Sequence, residues 1–151
     1  MSNAAEASMR SIVSGVVAGL ALQAGFAMAD DKRPTLTWDA LGQAGIVKHQ
    51  DRFVPHFPKE IAALDQKQVK LQGFMMPLDT AAKQQRFLLT AVPSDCGFCL
   101  PGGPEQLVEV QAKSGMKYVL EPIVVSGKLT LLRGDAGGLF YRLTEAVAVE
   151  K

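Results

Sequence analysis

The sequence is poor in the residue types on which many common binding sites depend. Its 151 residues include only two cysteines, two histidines and one tryptophan, and nowhere do five charges of one sign follow one another. Proteins that bind nucleic acids through electrostatics depend on clustered lysine and arginine. The small net charge of +1 therefore argues against a nucleic-acid partner and against electrostatic attachment to lipid headgroups.

Sequence motifs of several enzyme classes are also absent. The chain has no Gly-x-Ser-x-Gly nucleophile elbow, no phosphate-binding glycine loop and no His-Glu-x-x-His zinc motif. Its glycine-rich segment at 134–138 lies between two predicted strands with no helix after it, which predicts a turn instead. We therefore assign no catalytic residue and favour a protein that is not an enzyme.

The amino-terminal residues have the pattern of a cleaved secretory signal. Arg10 precedes an almost uncharged run of small and apolar residues at 11–29, which ends in Ala-Met-Ala. This run barely reaches the roughly 20 apolar residues that a membrane span needs. We predict cleavage after Ala29, export to the periplasm and no stable membrane insertion of the mature chain. The residues before Met9 fit a signal poorly, so Met9 competes with Met1 as the initiator.

Residues 30–65 predict an irregular arm ahead of the main domain. Pro55 and Pro58 exclude a long helix through this part of the arm, because proline and the residue before it avoid helical conformations. Residues 59–64 predict a short helix that starts after Pro58. Three large apolar side chains are expected to pack the arm against the main domain, namely Trp38, Phe53 and Phe57.

After residue 65 the apolar residues alternate as in β-strands, which predicts a mainly β domain over 66–151. The predicted strands are 69–77, 86–92, 107–110, 122–132 and 139–149, with 113–120 as the connection between the third and fourth. Gly73 and Gly127 take the same offset in two strands, where a small barrel needs bulges or sharp bends. We predict a five-stranded OB-like antiparallel barrel, with an SH3-like barrel or a small sandwich as alternatives. The predicted inward-facing side chains are Val69, Leu71, Leu89, Val108, Ile123, Val125, Leu129 and Leu143.

The two cysteines lie three positions apart, as Cys96-Gly-Phe-Cys99. Thioredoxin-like proteins place such a pair at the start of a helix, whose dipole lowers the thiol pKa. The sequence Pro-Gly-Gly-Pro at 101–104 excludes that helix and therefore that fold. Three hypotheses remain open: a structural disulfide that stiffens a loop, thiol–disulfide exchange on another scaffold, and half of a metal site.

A zinc site needs four ligands at tetrahedral corners. His49 and His56 complete such a set with Cys96 and Cys99 if the arm folds back onto the cysteine segment. Thioethers from the pair Met75-Met76 would instead suit copper(I). Alternation along a strand turns only one of these methionines inward, where a core role is expected. Zinc and copper are therefore the candidate metals of this hypothesis.

The order of four segments resembles a family of small bacterial exported proteins known as domain of unknown function 3299. The segments are Phe57-Pro-Lys-Glu-Ile-Ala-Ala-Leu-Asp65, Val69-Lys-Leu-Gln-Gly-Phe-Met-Met-Pro-Leu78, Phe87-Leu-Leu89 and Cys96-Gly-Phe-Cys-Leu-Pro-Gly-Gly-Pro-Glu105. The resemblance runs from about residue 38 to the carboxyl terminus. It implies an accessory or solute-binding role beside transport systems, including ones that handle metal, and it assigns no catalytic residue.

These observations lead to one main expectation and two alternatives. We expect a periplasmic, non-enzymatic accessory or binding protein whose Cys96/Cys99 loop handles metal or docks a partner such as a transporter component. One alternative is a thiol–disulfide redox partner that uses the same cysteine pair. The other is an interaction module in which the disulfide is purely structural.

Overall fold

The computed structural model describes residues 32–93 and 102–149. The predicted signal sequence with its two candidate initiators lies outside these ranges, as do Cys96 and Cys99. Over the described ranges, no helix is both long enough and apolar enough to cross a membrane.

Short helices and β-strands alternate along the described chain. The elements are α1 (Trp38–Leu41), β1 (Gly45–His49), β2 (Arg52–His56), α2 (Lys59–Ala62), β3 (Gln68–Pro77), β4 (Lys83–Thr90), a 3-10 helix (Pro104–Gln106), β5 (Leu107–Lys117), β6 (Ile123–Leu131) and β7 (Tyr141–Ala148). Strands β1 and β2 pair only with each other among the described residues, while β3 to β7 form the main domain.

The main domain is a closed barrel with the strand order β3-β4-β5-β7-β6. This confirms the predicted mainly β, five-stranded barrel and excludes a sandwich of two sheets. The prediction of a wholly antiparallel barrel was wrong at one pair, because β5 and β7 run parallel. Strand β7 lies between β5 and β6. It runs parallel to β5 and antiparallel to β6.

The predicted inward-facing residues form the core of the barrel. All are buried except Ile123, which is half-buried and packs against the core. Of the two neighbouring methionines, Met75 is buried and Met76 is partly exposed, as alternation along a strand predicts. The period-two pattern of apolar residues therefore identified the interior correctly.

Two glycines allow the long strands to bend, as the sequence predicts. Gly127 lies at the register shift between β6 and β7. Gly73 is the last residue of β3 that pairs with β6, and from Phe74 onward β3 pairs with β4. A Cβ atom at Gly73 would lie 2.7 Å from the carbonyl oxygen of Thr90. Glycine is therefore required at this position by the close approach of two backbones.

Two parts of the predicted strand pattern were wrong. Strand β5 continues to Lys117, so most of the predicted connection at 113–120 is strand. The pairing of β5 with β4 has a register shift between Gln84 and Arg86 and continues beyond it. The polar, glycine-containing end of β5 therefore stays in the sheet.

The β1–β2 hairpin was not predicted at all. Its turn residues, Gln50 and Asp51, both have positive φ angles, a type I′ geometry reached here without glycine.

The arm before β3 contributes both strand pairing and core to the barrel. The amide of Leu36 donates to the carbonyl oxygen of Lys70 (2.7 Å), and the amide of Lys70 donates to that of Pro34 (2.9 Å). These bonds lie on the first part of β3, which does not pair with β4 because that pairing begins at Phe74. Leu41 and Ile61 extend the core from the two short helices.

The three aromatic residues expected to anchor the arm behave differently. Phe57 is buried against the barrel, which confirms the prediction for this residue. Trp38 packs against the core, and its indole Nε1 donates to the carbonyl oxygen of Gln72 (2.8 Å). The prediction was wrong for Phe53, which is 76% exposed and lies on a hairpin that is exposed over most of its residues.

Candidate functional site

One end of the barrel carries the described residues that directly precede β5 and β7. Because β5 and β7 run parallel, the chain segments that precede them leave the barrel at the same end. The segment before β5 is 91–106, which contains both cysteines in its undescribed part, and the segment before β7 is 132–140. We call this the loop end, defined by the described residues 91–93, 102–106 and 132–140.

The β1–β2 hairpin adjoins the loop end and exposes apolar side chains to solvent. Ile46, Val47 and Phe53 are 59%, 43% and 76% exposed, respectively. Strand β1 is exposed along its whole length. Ile46 and Phe53 lie on one face of the hairpin and Val47 on the other. Scattered apolar residues are common on protein surfaces, but two large exposed apolar side chains on one face of a hairpin indicate an interaction surface.

A groove of about 160 Å³ separates the hairpin from the segment 132–140. One wall comes from the hairpin and the other from the segment before β7. The groove therefore forms only when these two distant parts of the sequence meet in the folded chain. The lining residues are Ile46, Phe53, Val54, Pro55, Arg133, Gly134, Asp135, Gly138, Leu139 and Phe140. Most of these side chains are apolar, with one residue of each charge.

The segment 132–140 is held in place by Asp135. Its carboxylate accepts hydrogen bonds from the amides of Gly137 (2.9 Å) and Leu139 (3.2 Å). The guanidinium of Arg142 lies 3.6 Å from the same carboxylate. Because these contacts engage both oxygens, Asp135 stiffens the wall of the groove and is not a free carboxylate within it.

An aromatic cluster packs next to the groove, which one of its members, Phe140, also lines. The ring of Phe57 lies 6.0 Å from that of Phe140 and 5.7 Å from that of Tyr141. The guanidinium of Arg133 lies over the Phe57 ring, 5.4 Å from its centre. Such edge-to-face and cation–π contacts join the arm, the segment before β7 and β7 itself into one packed unit.

Tyr141 is a structural hydrogen-bond donor at this end. Its side chain is fully buried, and its hydroxyl donates to the carbonyl oxygen of Leu41 (2.8 Å). Burial raises the pKa of the Tyr141 phenol well above its usual value, and the nearby Glu105 carboxylate raises it further. The phenol therefore stays protonated at neutral pH and links the arm to β7.

A buried carboxylate on β5 also has a structural role. Glu109 is fully buried, and its two oxygens accept separate hydrogen bonds from Arg86 on β4 and Arg142 on β7. The three side chains join three neighbouring strands. Because both oxygens are occupied, Glu109 is not available as a base or as a metal ligand.

The structure does not bring the two predicted histidine ligands together. His49 pairs with Arg52 beside the turn, whereas His56 pairs with Gly45 at the other end of the hairpin. Four residue steps along a strand separate the two backbone positions by about 13 Å. In the part of the chain that the structure describes, no three His, Cys, Asp or Glu residues are grouped to hold a metal ion.

Other predicted site residues lie outside the described ranges. Cys96 and Cys99 both fall in this gap, so their disulfide, their redox chemistry and their metal binding stay predictions. The residues described on either side of this gap are Pro93, which follows β4, and Gly102, which precedes β5. The four-ligand site with His49 and His56 also stays a prediction.

Sequence reasoning missed the groove because it missed the hairpin. A signal was present: Gly45-Ile-Val-Lys-His49 and Arg52-Phe-Val-Pro-His56 are runs of strand-forming residues separated by two residues. The proline and the absence of Asn-Gly or Asp-Gly at the turn concealed it. The contribution of 132–140 could not be found by any local pattern, because those residues meet the hairpin only in the folded chain.

Comparison with known proteins identifies the family. The family model for proteins of unknown function DUF3299 matches residues 38–147. A crystal structure of a DUF3299 family protein from Pseudomonas aeruginosa PAO1 is similar, with a TM-score of 0.56 and 21% identity over 79% of this chain and 97% of that chain. At this identity the similarity shows the fold alone. No curated protein matches the chain. Since the family match covers more than half of the residues, it confirms the resemblance seen in the sequence, and the chain belongs to the DUF3299 family.

Proposed function

We propose that this protein is an exported, non-enzymatic accessory protein that docks a partner protein at its loop end. The observation that carries the proposal is the projecting hairpin, whose Phe53 is 76% exposed beside an apolar groove. A soluble domain gains nothing for its own stability from an apolar side chain in water, so the exposed surface is best explained by a partner that covers it.

We propose that the cysteine segment contributes to the docking site. Its described flanks lie at the same barrel end as the wall of the groove. In an oxidising compartment a Cys96–Cys99 disulfide would form and stiffen the loop. A loop that is already rigid loses less conformational entropy when a partner binds, which strengthens binding.

The signal-like amino terminus supports export, and the family resemblance suggests the kind of partner. The resemblance implies a role beside transport systems, so a transporter component in the same compartment is the first partner to test. Its docking surface would need an apolar patch to cover Phe53 and its neighbours on the hairpin.

Site-specific photo-crosslinking in the producing cell tests the docking proposal. A photoreactive phenylalanine analogue at Phe53 is expected to give a discrete adduct with a membrane-transport or exported protein. The matched control carries the analogue at Tyr118, which is 40% exposed and follows β5 at the opposite end of the barrel. Equal labelling at both positions, or none at Phe53, would contradict docking at the loop end.

Serine substitution tests the role of the cysteines in docking. With both Cys96 and Cys99 replaced by serine, the fold should persist while the yield of the Phe53 adduct falls. The far-UV circular dichroism spectrum and the urea midpoint check the fold. An unchanged adduct yield would remove the cysteine segment from the docking site.

Wild-type protein purified from the periplasm tests the metal and redox alternatives. We expect a Cys96–Cys99 disulfide and no stoichiometric metal in protein isolated from the periplasm, measured by a thiol count and elemental analysis. Bound zinc or copper would instead favour metal handling. A disulfide as easily reduced as those of thiol oxidoreductases would favour redox exchange.

A further inference from the structure

Strand β1 offers an open edge on which another strand can add. It pairs with β2 on one side, and in the described part of the chain no backbone hydrogen bond reaches its other side. All five of its residues are exposed. An unprotected strand edge is a template for pairing with a further extended segment.

The hydrogen-bonding pattern shows which groups the open edge presents. In a hairpin closed by a two-residue type I′ turn, the flanking pair His49–Arg52 is hydrogen-bonded, and hydrogen-bonded pairs then alternate with others along the strands. Ile46 and Lys48 belong to the non-bonded pairs. Their amides and carbonyl groups therefore point away from β2, and together they offer two donors and two acceptors to an added strand.

Proline distinguishes the two edges of the hairpin. Pro55 pairs with Ile46 and occupies a non-bonded position of β2, where an amide would point outward. Because proline has no amide hydrogen, it weakens the outer edge of β2 as a template. Strand β1 contains no proline, so its edge is the one that can accept another strand.

The side chains beside the open edge are apolar and continue into the groove. Ile46, Lys48 and Phe53 share one face of the hairpin, because successive strand residues point to opposite faces and paired residues to the same face. Ile46 and Phe53 also line the groove. An added strand can therefore place apolar side chains at alternate positions against this face.

The charges around the hairpin favour an acidic partner. Lys48 and Asp51 form an exposed ion pair (3.0 Å), and Asp135 is occupied by its own segment. Among the described residues, neither Arg52 nor Arg133 has a carboxylate partner. This local excess of positive charge attracts acidic side chains on an incoming segment.

We propose that the β1 edge binds an extended, proline-free segment of a partner protein that carries alternating apolar residues and at least one acidic residue. The segment would add to the hairpin as a third strand. This proposal rests on the proposed docking function and specifies the chemistry of the docked segment. A second copy of this chain fits less well, since β1 contains no acidic residue to meet the positive charge around the hairpin.

Selection from a display library of random nine-residue peptides, with the mature domain immobilised, tests this proposal without a known partner. Enriched peptides should alternate apolar residues and include acidic ones. They should bind Ile46→Pro about tenfold or more weakly than the wild-type domain, because the substitution removes an outward amide from the edge. Ile46→Thr keeps that amide and is the matched control, for which binding should change only severalfold.

Trp38 fluorescence and the urea midpoint establish that each variant is folded. As a second variant, Phe53→Asp leaves the backbone edge intact and should weaken the same peptides by removing the apolar contact and repelling their acidic side chains. Equal binding to wild type and Ile46→Pro, enrichment of basic peptides, or no enrichment at all would overturn the proposal. So would a wild-type dimer that Ile46→Pro converts to a monomer. Because this test uses peptides, it can fail while the Phe53 crosslink in cells still succeeds by another mode of docking.

Discussion

Tyr141 shows how a single polar group can join two parts of this fold. It is fully buried on the first position of β7, and its one hydroxyl donates to the carbonyl oxygen of Leu41 at the end of α1. The carbonyl would otherwise lose part of its hydrogen bonding in a region closed to water. The same burial raises the pKa of the phenol, since the ionised form cannot be solvated there.

The raised pKa predicts a loss of stability at alkaline pH. Because the native pKa lies above the unfolded value of about 10, the contribution of Tyr141 is complete below pH 10 and is lost as pH rises toward the native pKa. The free energy of unfolding should then fall by up to about 1.4 kcal/mol per pH unit. Urea denaturation at a series of pH values measures the slope. Tyr141→Phe should reduce it, whereas Tyr118→Phe should leave it unchanged; equal slopes in all three proteins would contradict the assignment.

At the scale of elements, the long strands follow from local pattern and the hairpin does not. Strands β3 and β6 alternate apolar and polar residues, and each has a glycine where the barrel bends, so the sequence predicts both. In the β1–β2 hairpin both faces are largely exposed, and no buried face imposes an alternating pattern. Its tight turn lacks the usual glycine, which removes the other local signal.

The change of partner along β3 makes Gly73 sensitive to substitution. Gly73→Ala should lower the free energy of unfolding by about 2 kcal/mol, because inserted atoms in a packed site force the backbone and side chains to shift. The new methyl group would lie 2.7 Å from the Thr90 carbonyl oxygen and 2.8 Å from Leu89 Cγ. Gly134→Ala is the matched control, since nothing lies within 4 Å of a Cβ atom there. Equal urea midpoints for the two variants would show that the barrel tolerates a side chain at the bend.

At the scale of the whole molecule, the arm and the barrel share one core. Buried residues from α1, α2 and the segment between β2 and α2 belong to the same apolar cluster as the strand residues. The arm also supplies hydrogen bonds to the edge of β3 near Lys70. A barrel of only five strands has a small interior, so the arm adds apolar burial that so small a domain needs.

This shared core predicts that the barrel segment does not fold alone. A fragment of residues 66–151 should lack a cooperative urea transition, because removal of the arm exposes the barrel core and leaves Tyr141 without its hydrogen-bond partner. A fragment of residues 32–151 is the control and should unfold cooperatively. Far-UV circular dichroism follows both transitions. Cooperative unfolding of the shorter fragment would show that the barrel core suffices.

The sequence by itself determined the β class, the barrel interior, the bends at Gly73 and Gly127 and the family, because these depend on residue order along single strands. Only the tertiary structure decided the parallel β5–β7 pair, the length of β5 and the groove between the hairpin and residues 132–140. Strand register likewise places His49 and His56 at opposite ends of the hairpin, which residue order alone does not show. The physical reason is the same in each case: local pattern sets which side a residue faces, but long-range pairing sets which residues meet.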